Sequence, residues 1–283
     1  MMNLRPVLLL LTLLGATATA ASDSADRLAT VLGAQPEEVQ ARYAARRPLH
    51  TLEFFGIEPG MTVVEGLPGG GWYSKILVPY LGAEGHLIGA DYAPDMYPLF
   101  GFFPQDFIDS RQTWVSDWPA EAAGWGEGGA AVTAFQFGAL PESMHGTADA
   151  ALMIRALHNL ARFNPDGGYL DKALADIFQV LKPGGVLGVV QHLARADMPE
   201  DWADGSRGYL KEQFLIDRFV AAGFVFEESS DLNHNPLDRP AADDVVWRLP
   251  PSLITSKEDP ALKARMLEVG ESNRTTLRFR KPE

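Results

Sequence analysis

Three consecutive glycines follow an acidic residue at the end of the N-terminal quarter of the chain. The stretch reads VVEGLPGGGWYSKIL, residues 63–77, in which Glu65 closes an apolar run and Gly69, Gly70 and Gly71 precede two aromatic residues. Glycine adopts backbone angles barred to other residues and lets a ligand lie directly against the main chain. A helix that begins after the glycines would present free N–H groups to that ligand. The stretch is therefore a candidate ligand-binding turn.

A second acid, Asp91, ends the next apolar run, HLIGAD, residues 86–91. In open parallel sheets, ligands bind beyond the carboxyl ends of the strands, near the switch in strand order. A carboxylate at that position can accept hydrogen bonds from both hydroxyls of a ribose. Together with the glycine turn, Asp91 favours a nucleoside-containing ligand over a purely structural turn. The glycine spacing does not fit the G-x-G-x-x-G pattern typical of dinucleotide enzymes.

Short apolar runs alternate with amphipathic stretches along the chain, which is typical of an α/β fold. Strands are predicted at residues 62–65, 86–91, 131–137, 148–154, 186–191, 224–228 and 275–280. Helices are predicted at 36–55, 72–81, 170–181 and 209–222. This order predicts a mostly parallel sheet with right-handed crossovers and helices on both faces. We interpret residues 21–283 as a single domain with two loop excursions, 94–129 and 239–272.

The first 20 residues have the pattern of a secretory signal. Arg5 supplies a positive start, residues 7–14 form an apolar core, and Ala-Thr-Ala at 18–20 gives a cleavage pattern of small residues. The apolar run is too short for a stable membrane-spanning helix. We expect a periplasmic or secreted protein with no stable membrane anchor after signal removal; a retained anchor is the alternative.

The chain is acidic, with 24 Lys and Arg against 37 Asp and Glu and a formal net charge of −13. Such a surface repels phosphate backbones, so nucleic acid is not expected as a partner. A small-molecule substrate is expected instead, and the oligomeric state stays open. Cysteine is absent, so no disulfide can form.

The order of these motifs resembles that of class I S-adenosylmethionine-dependent methyltransferases. Within that class it is similar to a group of predicted bacterial methyltransferases with an E-x-x-P-G-G-G-W-Y first motif, which is residues 65–73 here. Further matching pieces are FFGIEPGMTVVE (54–65), IGADYAP (88–94), ALMIRALHNLARF (151–163), LKPGGVLGVV (181–190) and LRFRKP (277–282). The resemblance implies a Rossmann-like, seven-stranded, mostly parallel sheet whose last strand is antiparallel. It also implies S-adenosylmethionine as the cofactor.

The resemblance also assigns cofactor-binding residues. Glu65 matches the acid of the first motif, Asp91 matches the ribose-binding acid, and the three glycines Gly69, Gly70 and Gly71 form the turn. A sulfonium is a cation that aromatic faces attract, so Tyr73 is expected to wall the pocket while its neighbour Trp72 packs against the helix.

Two positions depart from the family pattern. Leu67 stands where the first glycine of the turn is usual, and Gly138 stands where many members carry an acid that contacts the adenine.

Methyl transfer from a sulfonium is a direct displacement, in which the protein mainly aligns the reactants and excludes water. IRALHNL, residues 154–160, leaves the fourth strand and places Arg155, His158 and Asn159 at its carboxyl end. His158 is the candidate base for a hydroxyl or amine acceptor, with a capping or packing role as the alternative. His192 leaves the fifth strand at the same edge, where packing is favoured. No histidine pair has metal-ligand spacing, so no metal is expected.

Two functions are compatible with these residues. The first is S-adenosylmethionine-dependent methyl transfer to a small molecule. The second is an exported, non-catalytic binding protein with a methyltransferase fold, because S-adenosylmethionine is made in the cytosol. Leu67 and Gly138 favour the second function, whereas Glu65 and Asp91 favour the first.

Overall fold

The computed structural model describes residues 23–283, in which seven strands form one sheet. The strands are β1 (Thr62–Gly66), β2 (His86–Asp91), β3 (Ala131–Gln136), β4 (Ala148–Ile154), β5 (Leu181–His192), β6 (Val225–Ser230) and β7 (Arg274–Arg280). Their order is β3-β2-β1-β4-β5-β7-β6, and β7 runs antiparallel to both of its neighbours while the other pairs are parallel. The predicted Rossmann-like α/β sheet with an antiparallel last strand is confirmed.

Helices flank the sheet. They are α1 (23–33), α2 (Glu37–Gln40), α3 (Tyr43–Arg46), α4 (Pro48–Phe54), α5 (Ser74–Leu81), α6 (Gln105–Ser110), α7 (Trp114–Ala122), α8 (Leu157–Arg162), α9 (Asn164–Gly167), α10 (Tyr169–Val180), α11 (Glu212–Ala221) and α12 (Pro260–Val269). Six short 3₁₀ segments accompany them: Pro94–Phe100, Ala123–Trp125, Glu142–Met144, Asp231–Asn233, Val246–Arg248 and Ile254–Ser256. Within residues 23–283, no helix is both long and apolar enough to cross a membrane.

Alternating strand residues face two separate apolar cores. Val64 and Ile88 belong to the core that α10 and α11 cover, whereas Val63 and Leu87 belong to the core that α4, α5 and α7 cover. Successive side chains of a strand point to opposite faces, so the two cores lie on the two sides of the sheet.

Two predicted elements differ in the structure. The helix predicted over residues 36–55 is divided into α2, α3 and α4. The break between α3 and α4 occurs because Arg47 is left-handed, with a φ of 43°, and Pro48 opens a new helix. KPGG was predicted to separate a helix from the fifth strand, yet it lies within β5. There the pairing with β4 is irregular, with a register shift between Ala148 and Ala150, so the segment is a bulge in the strand.

The two predicted excursions contain ordered helices. Residues 94–129 include α6 and α7, and Trp118 packs so closely on β2 that a Cβ at Gly89 would lie 2.5 Å from its ring. Residues 239–272 include α12 and the buried Val246 and Leu249. Both stretches are therefore packed against the domain. Residues 1–20, where the secretory signal is predicted, lie outside the described residues.

Close packing of β5 against α4 gives a test of the fold. A Cβ at Gly188 would lie 2.6 Å from the ring of the buried Phe55, so Gly188→Ala is expected to lower the free energy of unfolding by about 1–3 kcal/mol. Urea denaturation measures this loss. The matched control is Gly33→Ala in α1, where a Cβ meets nothing within 4 Å, and where a gain of roughly 0.5 kcal/mol is expected. Equal stabilities of the two variants would contradict the packing.

Candidate functional site

A cavity of about 660 Å³ opens at the carboxyl ends of β1, β2, β4 and β5. Its volume is in the range of small-molecule sites. The cavity lies where the strand order reverses between β1 and β4, which is the place where open α/β sheets bind ligands. Nine of the residues singled out in the sequence line it: Leu67, Gly69, Gly70, Trp72, Asp91, Arg155, His158, Asn159 and His192. Glu65, Gly71 and Tyr73 do not.

Two strained residues shape the mouth of this cavity. Leu67 after β1 and Arg155 after β4 have φ values of 57° and 62°, a left-handed conformation that side chains other than glycine rarely adopt. Each donates its backbone N–H across to the next strand, Leu67 to the Ala90 carbonyl and Arg155 to the Val190 carbonyl, both at 2.6 Å. Leu67 thus keeps the left-handed turn that a glycine would supply. Strain of this kind is concentrated at functional sites.

The three glycines have different surroundings. Gly69 and Gly70 line the cavity, and a Cβ at Gly70 would meet nothing within 4 Å. Gly71 is covered by Trp125, whose ring would lie 2.6 Å from an added Cβ. The first two glycines therefore leave the main chain open to a ligand, whereas Gly71 is required for packing.

Glu65 is buried beneath the turn. Ser74, the first residue of α5, donates its hydroxyl to Glu65 Oε2 at 2.6 Å. Burial raises the pKa of Glu65 to about 7, against the lowering effects of the Ser74 hydrogen bond and the positive charge of Arg155. In this structure Glu65 ties the start of α5 to the end of β1 and does not contact the cavity.

Trp72 and Tyr73 occupy places opposite to those expected. Trp72 lines the cavity and stacks under the guanidinium of Arg46, 4.4 Å from the ring centroid. Its buried Nε1 has no hydrogen-bond partner within residues 23–283. Tyr73 is buried, and its hydroxyl donates to the Arg46 carbonyl at 3.4 Å. The aromatic wall of the cavity is thus Trp72.

Asp91 is buried at the end of β2. The hydroxyl of Tyr97, from the 3₁₀ segment that follows, donates to Asp91 Oδ2 at 2.6 Å. Burial raises the pKa of Asp91, while the hydrogen bonds from Tyr97 and the Tyr92 backbone oppose the rise. Tyr97 lines the cavity, so Asp91 already has one donor on that side.

Gly138, the other departure from the family pattern, is not part of the cavity lining. Its N–H donates to Asp176 Oδ2 of α10 at 2.6 Å. The turn after β3 is thereby fixed to α10.

The two histidines of the cavity are neutral near pH 7. Burial, helped by the positive charge of Arg155, lowers the pKa of His158 to about 4, and burial lowers that of His192 well below its usual value. The ring centroids are 5.5 Å apart. The Gln191 amide donates to the Gly208 carbonyl and lies 3.3 Å from His158 Nδ1, an arrangement that places the ring proton on Nε2.

Asn159 donates its side-chain amide to the Tyr92 hydroxyl at 2.9 Å. This bond joins the start of α8 to the residue that follows β2. Asn159 therefore positions Tyr92 at the edge of the cavity.

The same cavity is also lined by charged residues that the sequence motifs do not single out: Arg42, Arg46, Glu271 and Arg274. Arg42 and Arg46 are four residues apart in the sequence, and Glu271 and Arg274 are three apart at the start of β7. These spacings within each pair were the sequence features from which the charged residues could have been noticed. Nothing local in the sequence shows that the two pairs meet.

No protein-family model matches the chain, and no curated protein matches its sequence. Among solved structures, the [4+2]-cyclase SpnF superposes with a TM-score of 0.51 at 18% identity, covering 85% of this chain and 82% of that one. A geranyl diphosphate methyltransferase in complex with S-adenosylmethionine gives 0.48 at 14% identity, covering 85% and 86%. CrArsM, an arsenic(III) S-adenosylmethionine methyltransferase from Chlamydomonas reinhardtii, gives 0.45 at 16%, covering 91% and 73%. At 18% identity, the similarity to SpnF establishes a shared fold.

The raised pKa of Glu65 gives a pH-dependent stability. Because the folded protein holds this proton up to about pH 7 and the unfolded chain releases it near 4.5, ionisation of Glu65 reduces stability as the pH rises through that window. Glu65→Gln keeps an acceptor for Ser74 and removes the charge. Relative to the wild type, the free energy of unfolding of Glu65→Gln should increase by up to about 3 kcal/mol as the pH rises from 4.5 to 8.

Urea denaturation at a series of pH values measures this difference. Ser74→Ala removes the hydrogen bond that lowers the pKa of Glu65. In this variant, the pH range over which ionisation of Glu65 reduces stability should therefore extend to higher pH. Parallel stability curves for the wild type and Glu65→Gln would contradict the assignment.

Proposed function

We propose that this chain is an exported S-adenosylmethionine-dependent methyltransferase that acts on a small molecule. One observation supports it above the others: the bare turn at Gly69 and Gly70 and the carboxylate of Asp91 line one cavity at the carboxyl ends of adjacent strands. This is the arrangement expected for a ligand with a ribose and an extended polar arm.

The residues present fit the cofactor. Part of the cofactor would lie against the main chain of Gly69 and Gly70, since a Cβ at Gly70 would meet nothing within 4 Å. Asp91 would accept the ribose hydroxyls, because a carboxylate has acceptor capacity beyond its bond to Tyr97. Trp72 would supply an aromatic surface and the unpaired Nε1. Bound there, S-adenosylmethionine would supply the methyl group.

The residues after β4 would contact the acceptor. Arg155 and His158 line the cavity after β4, which β1 separates from β2 in the sheet, and His158 is in its neutral form near pH 7. With its proton on Nε2, His158 would donate a hydrogen bond to the acceptor, and the Nδ1 lone pair is taken by Gln191. A role for His158 as a base therefore requires the opposite tautomer. Asn159 would act through Tyr92.

A non-catalytic binding protein with the same fold is the second candidate function. The Tyr97 bond to Asp91 favours it, because that hydroxyl occupies an oxygen that a ribose would use. Gly138 is also tied to Asp176 and offers no acid to an adenine.

Calorimetric titration with S-adenosylmethionine and S-adenosylhomocysteine separates the two functions. A methyltransferase should bind both. Asp91→Asn should weaken binding about tenfold or more, since the charged acceptor for the ribose is lost. The matched control is Asp95→Asn, which changes an exposed carboxylate outside the cavity lining and should bind like the wild type.

The absence of heat at millimolar ligand would overturn the methyltransferase proposal and favour the second function. Normal binding by Asp91→Asn would remove the ribose role from this residue.

Export is a separate part of the proposal. It depends on residues 1–20, whose Ala-Thr-Ala ending matches a cleavage site. Protein recovered from the periplasmic fraction or the medium should begin at Ala21, as N-terminal sequencing would show. Recovery of an uncleaved N-terminus with the cytosolic fraction would contradict export.

A further inference from the structure

Four arginines that line the cavity surround one carboxylate. Arg42 and Arg46 come from the α3 region, Arg155 follows β4, and Arg274 begins β7. All four side chains approach Glu271. We call Arg42, Arg46, Arg155 and Arg274 the arginine cluster.

The contacts of Glu271 are unequal. Arg42 and Arg274 form close ion pairs with it. Arg46 Nε lies 3.3 Å from Oε1, and Arg155 Nη1 lies 3.9 Å from Oε2. The carboxylate is therefore saturated by two or three partners, and Arg155 is at the limit of an ion pair.

The arginine cluster carries more positive charge than Glu271 can neutralise. Burial and the neighbouring arginines lower the pKa of Arg46 to about 10 and that of Arg155 to about 9. The excess is notable in a chain whose net charge is −13. Burying uncompensated charge is costly, so a counter-charge in the cavity would stabilise the protein.

Two hydrogen-bond donors of the arginine cluster also lack an acceptor among the described residues. Arg46 Nη1 and Arg155 Nε are buried and have no partner among the described residues, and Arg46 as a whole is only 4% exposed. Both residues line the cavity. Buried donors without partners are rare in folded proteins and cost stability.

We propose that the arginine cluster is a subsite for an oxyanion, a carboxylate or a phosphate, carried by the methyl acceptor. Guanidinium groups bind both anions through paired, charge-assisted hydrogen bonds. The acceptor assignment rests on the proposed function, in which the cofactor lies over β1 and β2. Arg155 follows β4 and Arg274 begins β7, and both strands lie on the other side of the switch in strand order from β1 and β2. The carboxylate of the methyl donor is the other possible source of the anion.

Thermal denaturation in inorganic phosphate tests the subsite without any cofactor. At constant ionic strength, phosphate should raise the melting temperature relative to chloride, by roughly 5 °C at a hundred times the dissociation constant. This measurement does not depend on methyl transfer, so its failure is distinct from failure of the proposed function.

Two variants distinguish an anion subsite from a merely structural ion-pair network. Arg155→Gln removes the arginine with the longest contact to Glu271, so without phosphate its melting temperature should equal or exceed that of the wild type. Its apparent affinity for phosphate should fall at least tenfold. Glu271→Gln should melt lower without phosphate and respond more strongly to it.

The matched control is Arg195→Gln, which removes an arginine that pairs with Asp197 outside the cavity lining and should keep the full response to phosphate. A structural role alone would instead make Arg155→Gln melt lower and leave its response to phosphate unchanged. Either that result or the absence of a response in the wild type would overturn the proposal.

Competition identifies the source of the anion. If phosphate still stabilises the protein when S-adenosylmethionine is saturating, the subsite serves the acceptor. If S-adenosylmethionine abolishes the phosphate response and its decarboxylated analogue does not, the subsite holds the donor's carboxylate and the acceptor assignment is wrong.

Discussion

Two backbone hydrogen bonds at the ends of β1 and β4 create the space on which the whole site depends. Leu67 and Arg155 each leave their strand in a left-handed turn and donate to the neighbouring strand. From there the chain diverges, because α5 packs in one apolar core and α8 packs in the other. Adjacent strands whose connections leave toward opposite faces cannot fill the gap between them, and this gap is the cavity.

The sequence was informative where the signal is local. The limits of β2 and β4 were predicted to the residue, since each is a short apolar run bounded by polar or glycine residues. KPGG was misplaced because proline and glycine predict an end, whereas a bulged strand tolerates both. Helices α6 and α7 were missed because their stability comes from tertiary contacts such as Trp118 on Gly89. Residues 94–129 are rich in Trp, Pro and Gly and have no periodic pattern that would predict such a contact.

The same distinction applies to the site. Asp91, Arg155 and His158 could be placed at the cavity because each follows a predicted strand, and parallel strands bring such positions to one edge. Arg46 and Glu271 could not be paired, because they are 225 residues apart and neither belongs to a recognisable motif. A glycine run likewise does not reveal which members face a ligand; contact with Trp125 is what separates Gly71 from its neighbours.

Total charge and local charge have different consequences in this molecule. The net charge of −13 describes the surface that a large partner would meet, whereas the arginine cluster sets the potential inside the cavity. A cavity with low-dielectric walls concentrates the field of the charges that line it. A small anion in the cavity would meet donors, Arg46 Nη1 and Arg155 Nε, that have no partner among residues 23–283.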